Sequence, residues 1–264
     1  MDRITDSDAP ALAAFARPRA HRWLWPPAPV TLALFAAATC LALWLPTLAL
    51  LPIWHDEVIT LRSLEQPTLD LMGNRLKNAH SPVYFVLLQW WRALVGDSVF
   101  LLRLPSALGA AFGAACLTLV AYRLGGARKG GWRAALILAP LFAGSPILLA
   151  EAQDARPYGL LYGFLGLFAC SAASLVDHPR LARLAWDGSG ARATRGLRRP
   201  WYGAGIGAVG SVCMLPLGGL AVLAGDAALL WAARREPCRP LLRPWFRLRV
   251  LTLILLAPLL YGIV

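Results

Sequence analysis

An uncharged stretch at residues 23–54 constrains this chain more than any other feature of its sequence. Within it, residues 30–53 are apolar over more than the roughly 20 residues that a helix needs to cross the hydrocarbon core of a bilayer. The whole chain is 58% hydrophobic and 15% charged, whereas an ordinary soluble domain has about 25% charged residues. The sequence therefore predicts an all-α polytopic membrane protein.

Six further charge-poor runs follow the first predicted span. They cover residues 104–122, 132–150, 157–176, 201–214, 216–233 and 250–264. Pro216 is expected to break the stretch 201–233 into two helices joined by a tight turn. Arg-rich segments lie between them at 123–133, 177–199 and 234–249. Because cytoplasmic loops carry an excess of Lys and Arg, placing all three segments inside gives about seven transmembrane helices and a cytoplasmic N-terminus.

This topology divides the chain into two parts. Residues 1–29 are a polar cytoplasmic leader, and residues 30–264 form the transmembrane module, with an external loop at 54–103. The run at 82–95 has 14 residues and carries Gln89 and Arg92, so we expect an amphipathic helix in the outer interface rather than a span. Asp226 lies inside the sixth span, and we expect its side chain to reach toward the cytoplasmic segment 234–249, which begins about two turns away at Arg234. The chain stops within an apolar run, which favours a truncated piece of a longer protein.

The net charge of +12 does not indicate nucleic-acid binding, because the cations form short clusters between apolar runs. The five cysteines contain no CxxC pair and mostly lie within apolar runs. They are therefore expected to pack as small apolar residues.

Two adjacent acids, Asp56 and Glu57, follow the first span directly. They precede the spacing of Val58, Leu61 and Leu64 by threes, which predicts a short amphipathic helix on the membrane surface. A carboxylate at this boundary can serve as a general base, although two acids in a first helical turn can also act only as caps.

Four short motifs in the external segments occur in a characteristic order. They are Trp54-His55-Asp56-Glu57, His80-Ser81-Pro82-Val83-Tyr84, Leu102-Arg103-Leu104-Pro105-Ser106-Ala107-Leu108 and Ala155-Arg156-Pro157-Tyr158. The ordered set resembles the GT-C superfold of bacterial membrane glycosyltransferases. It is most similar to the branch containing the protein O-mannosyltransferases (dolichyl-phosphate-mannose-protein mannosyltransferases) and the lipid A aminoarabinose transferases.

The resemblance implies an inverting transfer of a sugar from a polyprenyl-phosphate donor to a lipid, glycan or protein acceptor at the external membrane face. It implies Asp56 as the general base, and Glu57 as the residue that positions the acceptor or a metal ion. Arg103 and Arg156 would bind the donor phosphate. Further substrate contacts are expected from residues of the same motifs or next to them: His55, His80, Tyr84, Asp154 and Tyr158.

Other interpretations of these residues stay open. Arg103 can be an interfacial anchor, Arg156 can pair with Asp154 or Glu151, and His80 can cap a helix. The sequence requires no cofactor and leaves a divalent metal at Asp56 and Glu57 open.

At the level of the whole protein, the expected location is the bacterial inner membrane, with the bilayer as a partner. The competing functions are a non-catalytic membrane subunit and a transporter. A transporter typically has an internal repeat, and no repeat is evident here.

Overall fold

The computed structural model describes residues 29–78, 80–126, 131–177, 182–183, 186–187, 195–234 and 236–263. Within these ranges the chain is helical and contains no strand. The helices are α1 (Pro29–Trp44), α2 (His55–Ser63), α3 (Thr68–Lys77), α4 (Pro82–Val95), α5 (Val99–Gly125), α6 (Gly131–Ala143), α7 (Pro146–Ala152), α8 (Tyr158–Asp177), α9 (Arg195–Met214), α10 (Gly218–Ala232) and α11 (Leu242–Ile263). Short 3-10 helices occur at Leu45–Thr47 and Glu236–Leu241. The predicted leader, except for Pro29, lies outside the described residues.

Several helices are long and apolar enough to cross a membrane. Four stretches meet this criterion: Pro29–Thr47, Val99–Gly125, Tyr158–Asp177 and Cys238–Gly262. The pair of α6 and α7, bent by 60°, makes a fifth if it counts as one span. Helix α9 begins with several arginines and α10 has only 15 residues, so neither qualifies. In the part of the chain that is described, the structure supports a membrane protein with four or five spanning helices, and seven spans are not confirmed.

The first predicted span is too long at its C-terminal end. Helix α1 ends at Trp44 and one 3-10 turn follows, so residues 48–54 are not a continuation of the helix as expected. Pro46 and Pro52 lack the backbone N–H that a continuing helix would use. The carbonyl groups of Leu48, Leu51 and Pro52 instead accept hydrogen bonds from the side chain of Arg103.

Three other helix boundaries differ from the expectation. Helix α5 begins at Val99, so Arg103 lies inside the helix rather than just before it. The third predicted span breaks at Gly144 and Ser145, where the Ser145 hydroxyl caps the start of α7. Helix α11 begins at Leu242, eight residues before the predicted start, because Arg243, Arg247 and Arg249 are helical rather than part of a loop.

The two helices predicted within residues 54–103 are present. Helix α4 has the 14 residues expected of an interfacial helix and is not among the candidate spans. Its Tyr84, Phe85 and Leu88 are buried in one cluster with Leu71 of α3. Helix α2 carries Asp56 and Glu57 in its first turn. The break at Pro216, between α9 and α10, is also confirmed.

Asp226 pairs with a cation of the Arg-rich segment 234–249, and that cation is Arg249 of α11 rather than the nearer Arg234. Its Oδ1 accepts hydrogen bonds from Arg249 Nε and Trp245 Nε1, both at 2.7 Å. The early start of α11 brings this cation to an acid that would otherwise be costly in an apolar bundle.

Helices α5 and α8 approach closely enough for their backbones to touch. A Cβ added at Gly159 would lie 2.2 Å from the Ser106 carbonyl oxygen, and one at Gly163 would lie 2.8 Å from that of Gly109. Small residues at such contacts are a common way for membrane helices to pack. This contact holds the start of α8, and the loop before it, against the first turns of α5.

Candidate functional site

The candidate site lies at one end of the bundle, where four segments meet. They are the irregular residues 48–54 after α1, the first turn of α2, the first turns of α5, and the loop 153–157 between α7 and α8. The last three contribute charged side chains to one connected set, and residues 48–54 contribute backbone carbonyl groups that bind it. The sequence motifs that are far apart along the chain thus come together in space.

Arg103 is fully buried at the centre of this set, with 1% of its surface exposed. Its Nη1 donates to the carbonyl oxygens of Leu48 and Leu51 at 2.8 and 2.9 Å, and its Nη2 to that of Pro52 at 3.2 Å. Its Nε and Nη2 donate to Glu57 at 2.9 and 2.5 Å. A guanidinium group has five N–H donors, and these five contacts engage all of them. In this arrangement Arg103 has no donor left for a phosphate.

Glu57 is also buried, with 1% of its surface exposed. Besides the two contacts from Arg103, its Oε1 accepts a hydrogen bond from the backbone N–H of Ala155 at 2.8 Å. The carboxylate therefore ties α2 to α5 and to the loop 153–157. This arrangement makes Glu57 a residue that positions the site.

The Asp56–Arg156 pair lies beside this buried pair and is accessible to solvent. Arg156 Nη1 donates to Asp56 Oδ2 at 3.0 Å, and the two side chains are 27% and 41% exposed, respectively. The Arg156 guanidinium carbon also lies 5.0 Å from the centre of the Tyr158 ring. The Arg156 carbonyl oxygen accepts a hydrogen bond from Ser106 Oγ at 2.9 Å. An accessible carboxylate and an accessible guanidinium thus stand side by side.

Asp154 is a second carboxyl group in the same loop. Its pKa is raised from 3.8 to about 6, mainly by burial and also by the charge of Glu57, while Arg103, Arg156 and a hydrogen bond with Trp54 oppose the shift. Such a carboxyl group changes its charge near neutral pH.

The raised pKa of Asp154 predicts a specific pH dependence of stability. The folded protein holds this proton more tightly than the unfolded chain, so the contribution is complete below about pH 4 and is lost as the pH rises to about 6. Thermal unfolding of the parent, measured relative to Asp154→Asn, should therefore show a midpoint that falls over this range. The exposed Asp70, replaced by Asn, is the matched control. Parallel curves for the parent and Asp154→Asn would contradict the prediction.

Tyr84 belongs to this site, whereas His55 and His80, the two histidines expected to contact the substrate, take no part in its ion pairs. The Tyr84 side chain is buried, close to Ser106 and within the electrostatic influence of Glu57, Arg156 and Asp154. His55 is exposed at the start of α2, and the backbone N–H of exposed His80 donates to the Arg75 carbonyl oxygen. Among the described contacts of the two ion pairs, neither imidazole takes part.

Two structural contacts at the site escape sequence reasoning. Gln153 is buried and its Nε2 donates to Thr47 Oγ1, which links the loop 153–157 to the end of α1. The backbone N–H of Ala155 binds Glu57. The motif around Arg156 indicates this neighbourhood, but no residue pattern identifies a backbone donor as a partner.

For a metal ion, the described residues contain no group of three or more His, Cys, Asp or Glu side chains with suitable positions. Glu57, one of the two acids considered as ligands, already binds Arg103 and the backbone of Ala155. Comparison of the chain with protein-family models, curated proteins and solved structures finds no match.

Proposed function

We propose that this protein is a glycosyltransferase that moves a sugar from a polyprenyl phosphate to an acceptor hydroxyl at the external membrane face. The observation that carries the proposal is the accessible Asp56–Arg156 pair, with its 3.0 Å contact, at the end of an apolar helical bundle. In the proposed reaction this carboxylate and this cation meet the lipid phosphate at that end of the bundle. The motif resemblance over residues 54–158 supports the same function.

The reaction assigns one role to each partner of the pair. Asp56 takes the proton of the acceptor hydroxyl as its oxygen attacks the anomeric carbon of the sugar. The bond from that carbon to the phosphate oxygen breaks, and the electron pair leaves with the polyprenyl phosphate. Arg156 stabilises the negative charge that develops on the phosphate. Attack from the side opposite the phosphate inverts the configuration at the anomeric carbon.

The buried Glu57–Arg103 pair has a positioning role in this proposal. Because the donors of Arg103 are all engaged, the proposal gives the phosphate to Arg156 and leaves Arg103 to hold Glu57. Glu57 in turn fixes the first turn of α2, which carries Asp56. Asp154, with a pKa of about 6, is a second group in the same loop that can accept a proton near neutral pH.

The proposal includes a seven-span topology with a cytoplasmic N-terminus in the bacterial inner membrane. The three Arg-rich segments support this orientation. With it, residues 54–103 and 153–157 lie on the external side, where the acceptor would be a lipid, a glycan or a protein.

The direct test is a transfer assay with the full chain in lipid nanodiscs. Synthetic polyprenyl phosphates carrying a hexose or a pentose are supplied with lipid and peptide acceptors, and mass spectrometry follows the free polyprenyl phosphate and the glycosylated product. We expect discharge of at least one donor with stoichiometric product. Donor binding without discharge would favour a non-catalytic subunit. Movement of intact donor across proteoliposomes would favour a transporter.

A further inference from the structure

We propose that a groove between α9 and α11, at the end of the bundle opposite the candidate site, binds an anionic phospholipid. The groove has a volume of about 800 Å³ and a mostly apolar lining. Its walls include Ile206 and Val209 of α9 and Leu251 and Leu255 of α11. This inference is independent of the proposed function, because it concerns other residues, the other membrane face and binding alone.

Aromatic side chains mark one end of the groove. Trp186 and Trp201 line it, with their rings 4.9 Å apart, and Trp245 lies 6.2 Å from Trp201. Tyr202 also lines the groove and is exposed. Clustered Trp and Tyr side chains are typical of the depth at which lipid headgroups meet the hydrocarbon core. The aromatic end therefore indicates the headgroup level.

Several arginine side chains lie at the aromatic end of the groove. Arg198 lines the groove itself, and a smaller polar cavity that shares Trp186 is lined by Arg183, Arg243 and Arg247. Among the described residues that line the two cavities, one is acidic. It is Asp187, which forms an ion pair with Arg183 at 3.8 Å. Arg243 and Arg247 thus add positive charge at this end beyond the Arg183–Asp187 pair. Basic pockets between membrane helices favour phosphate-bearing headgroups.

The dimensions of the groove match a single leaflet. Along α9 the lining runs from Arg198 to Gly210, a rise of about 18 Å at 1.5 Å per residue, and along α11 it runs from Leu248 to Leu255, a rise of about 11 Å. Half of a hydrocarbon core is roughly 15 Å. An acyl chain that begins at the aromatic level would thus reach the far end of the groove.

The groove is distinct from the place of the proposed donor phosphate. Helix α8 begins next to Arg156, and its 20 residues span about 30 Å to Asp177. Leu175, near that far end, packs in one buried cluster with Trp201 and Trp245. The cationic end of the groove is therefore a membrane thickness away from the Asp56–Arg156 pair. Charge complementarity and leaflet length together identify the occupant as a phospholipid with a net negative headgroup.

Native mass spectrometry of the full chain, titrated with defined lipids, tests this proposal. The probes are dioleoyl phosphatidylglycerol, dioleoyl phosphatidylcholine and soluble glycerol 3-phosphate. We expect the anionic lipid to bind at least about tenfold more tightly than the zwitterionic lipid, and we expect glycerol 3-phosphate not to displace it. Equal binding of the two lipids, or displacement by glycerol 3-phosphate, would overturn the proposal.

Variants separate the headgroup from the acyl chain. Replacing Arg243 and Arg247 together by Gln should weaken phosphatidylglycerol binding by about tenfold or more, whereas replacing both by Lys should retain most of it. Ile206→Trp should fill the groove and weaken binding, with the similarly exposed Leu223→Trp on α10 as its matched control. Unchanged binding in the Gln double variant and in Ile206→Trp would return the groove to an ordinary lipid-facing surface.

Discussion

Replacing Glu57 with Gln is expected to destabilise the folded protein by about 3–5 kcal/mol, because the variant leaves the charge of Arg103 buried without a counter-charge. Both side chains are only 2% exposed, so water cannot compensate. The variant also weakens the hydrogen bond from the Ala155 N–H, which holds the loop 153–157. Tryptophan fluorescence during unfolding in mixed detergent micelles would measure the loss. Glu65→Gln, an exposed acid just beyond the same helix, is the control and should change stability by less than about 0.5 kcal/mol.

A double variant distinguishes a charge effect from a general packing defect. Glu57→Gln combined with Arg103→Met removes both charges, so it should be more stable than Glu57→Gln alone. The carbonyl oxygens of Leu48, Leu51 and Pro52 would still lose their donor, so recovery should be partial. If Glu57→Gln alone unfolds like the parent, the buried pair is not what holds the site together.

Replacing Asp56 with Asn is expected to lower sugar transfer by about 10²–10⁴-fold, the usual effect of losing a general base. Asn keeps the size of the side chain but cannot accept the proton. Because the Asp56–Arg156 pair is accessible, the effect on folding should stay within about 1 kcal/mol. Donor binding should survive. Two quantities are measured on the same preparation: the rate at which free polyprenyl phosphate is released, and the affinity for the donor.

Arg156 should give the complementary pattern in the same assay. Arg156→Gln removes the cation and should weaken donor binding as well as transfer, and Arg156→Lys, which retains charge but not the planar fork, should fall between Gln and the parent. Arg62→Gln, a cation of α2 outside the site, is the control. Full transfer activity in Asp56→Asn would remove Asp56 from the mechanism and leave Asp154 as the base to examine.

Sequence reasoning predicts those parts of the fold that depend on local composition. The 14 residues of α4, the break at Pro216 and the first-turn position of Asp56 and Glu57 follow from apolar runs, proline and helix-start signals within a few residues. The same reasoning fails at the end of α1. An apolar run without charge cannot reveal that Arg103, about 50 residues away, donates hydrogen bonds to the backbone carbonyl groups of Leu48, Leu51 and Pro52.

For the candidate site too, the sequence determined some features and the tertiary structure determined others. The sequence by itself determined a helical membrane protein and the residue types that could bear charge at one end, because a bilayer demands long apolar helices and confines most charges to their ends. Only the tertiary structure decided which acid pairs with which cation. It buries Glu57 with Arg103 and leaves Asp56 accessible with Arg156. The Ala155 N–H that also binds Glu57 lies just before α8, and the start of α8 packs against α5 at Gly159, a contact between residues far apart in the chain.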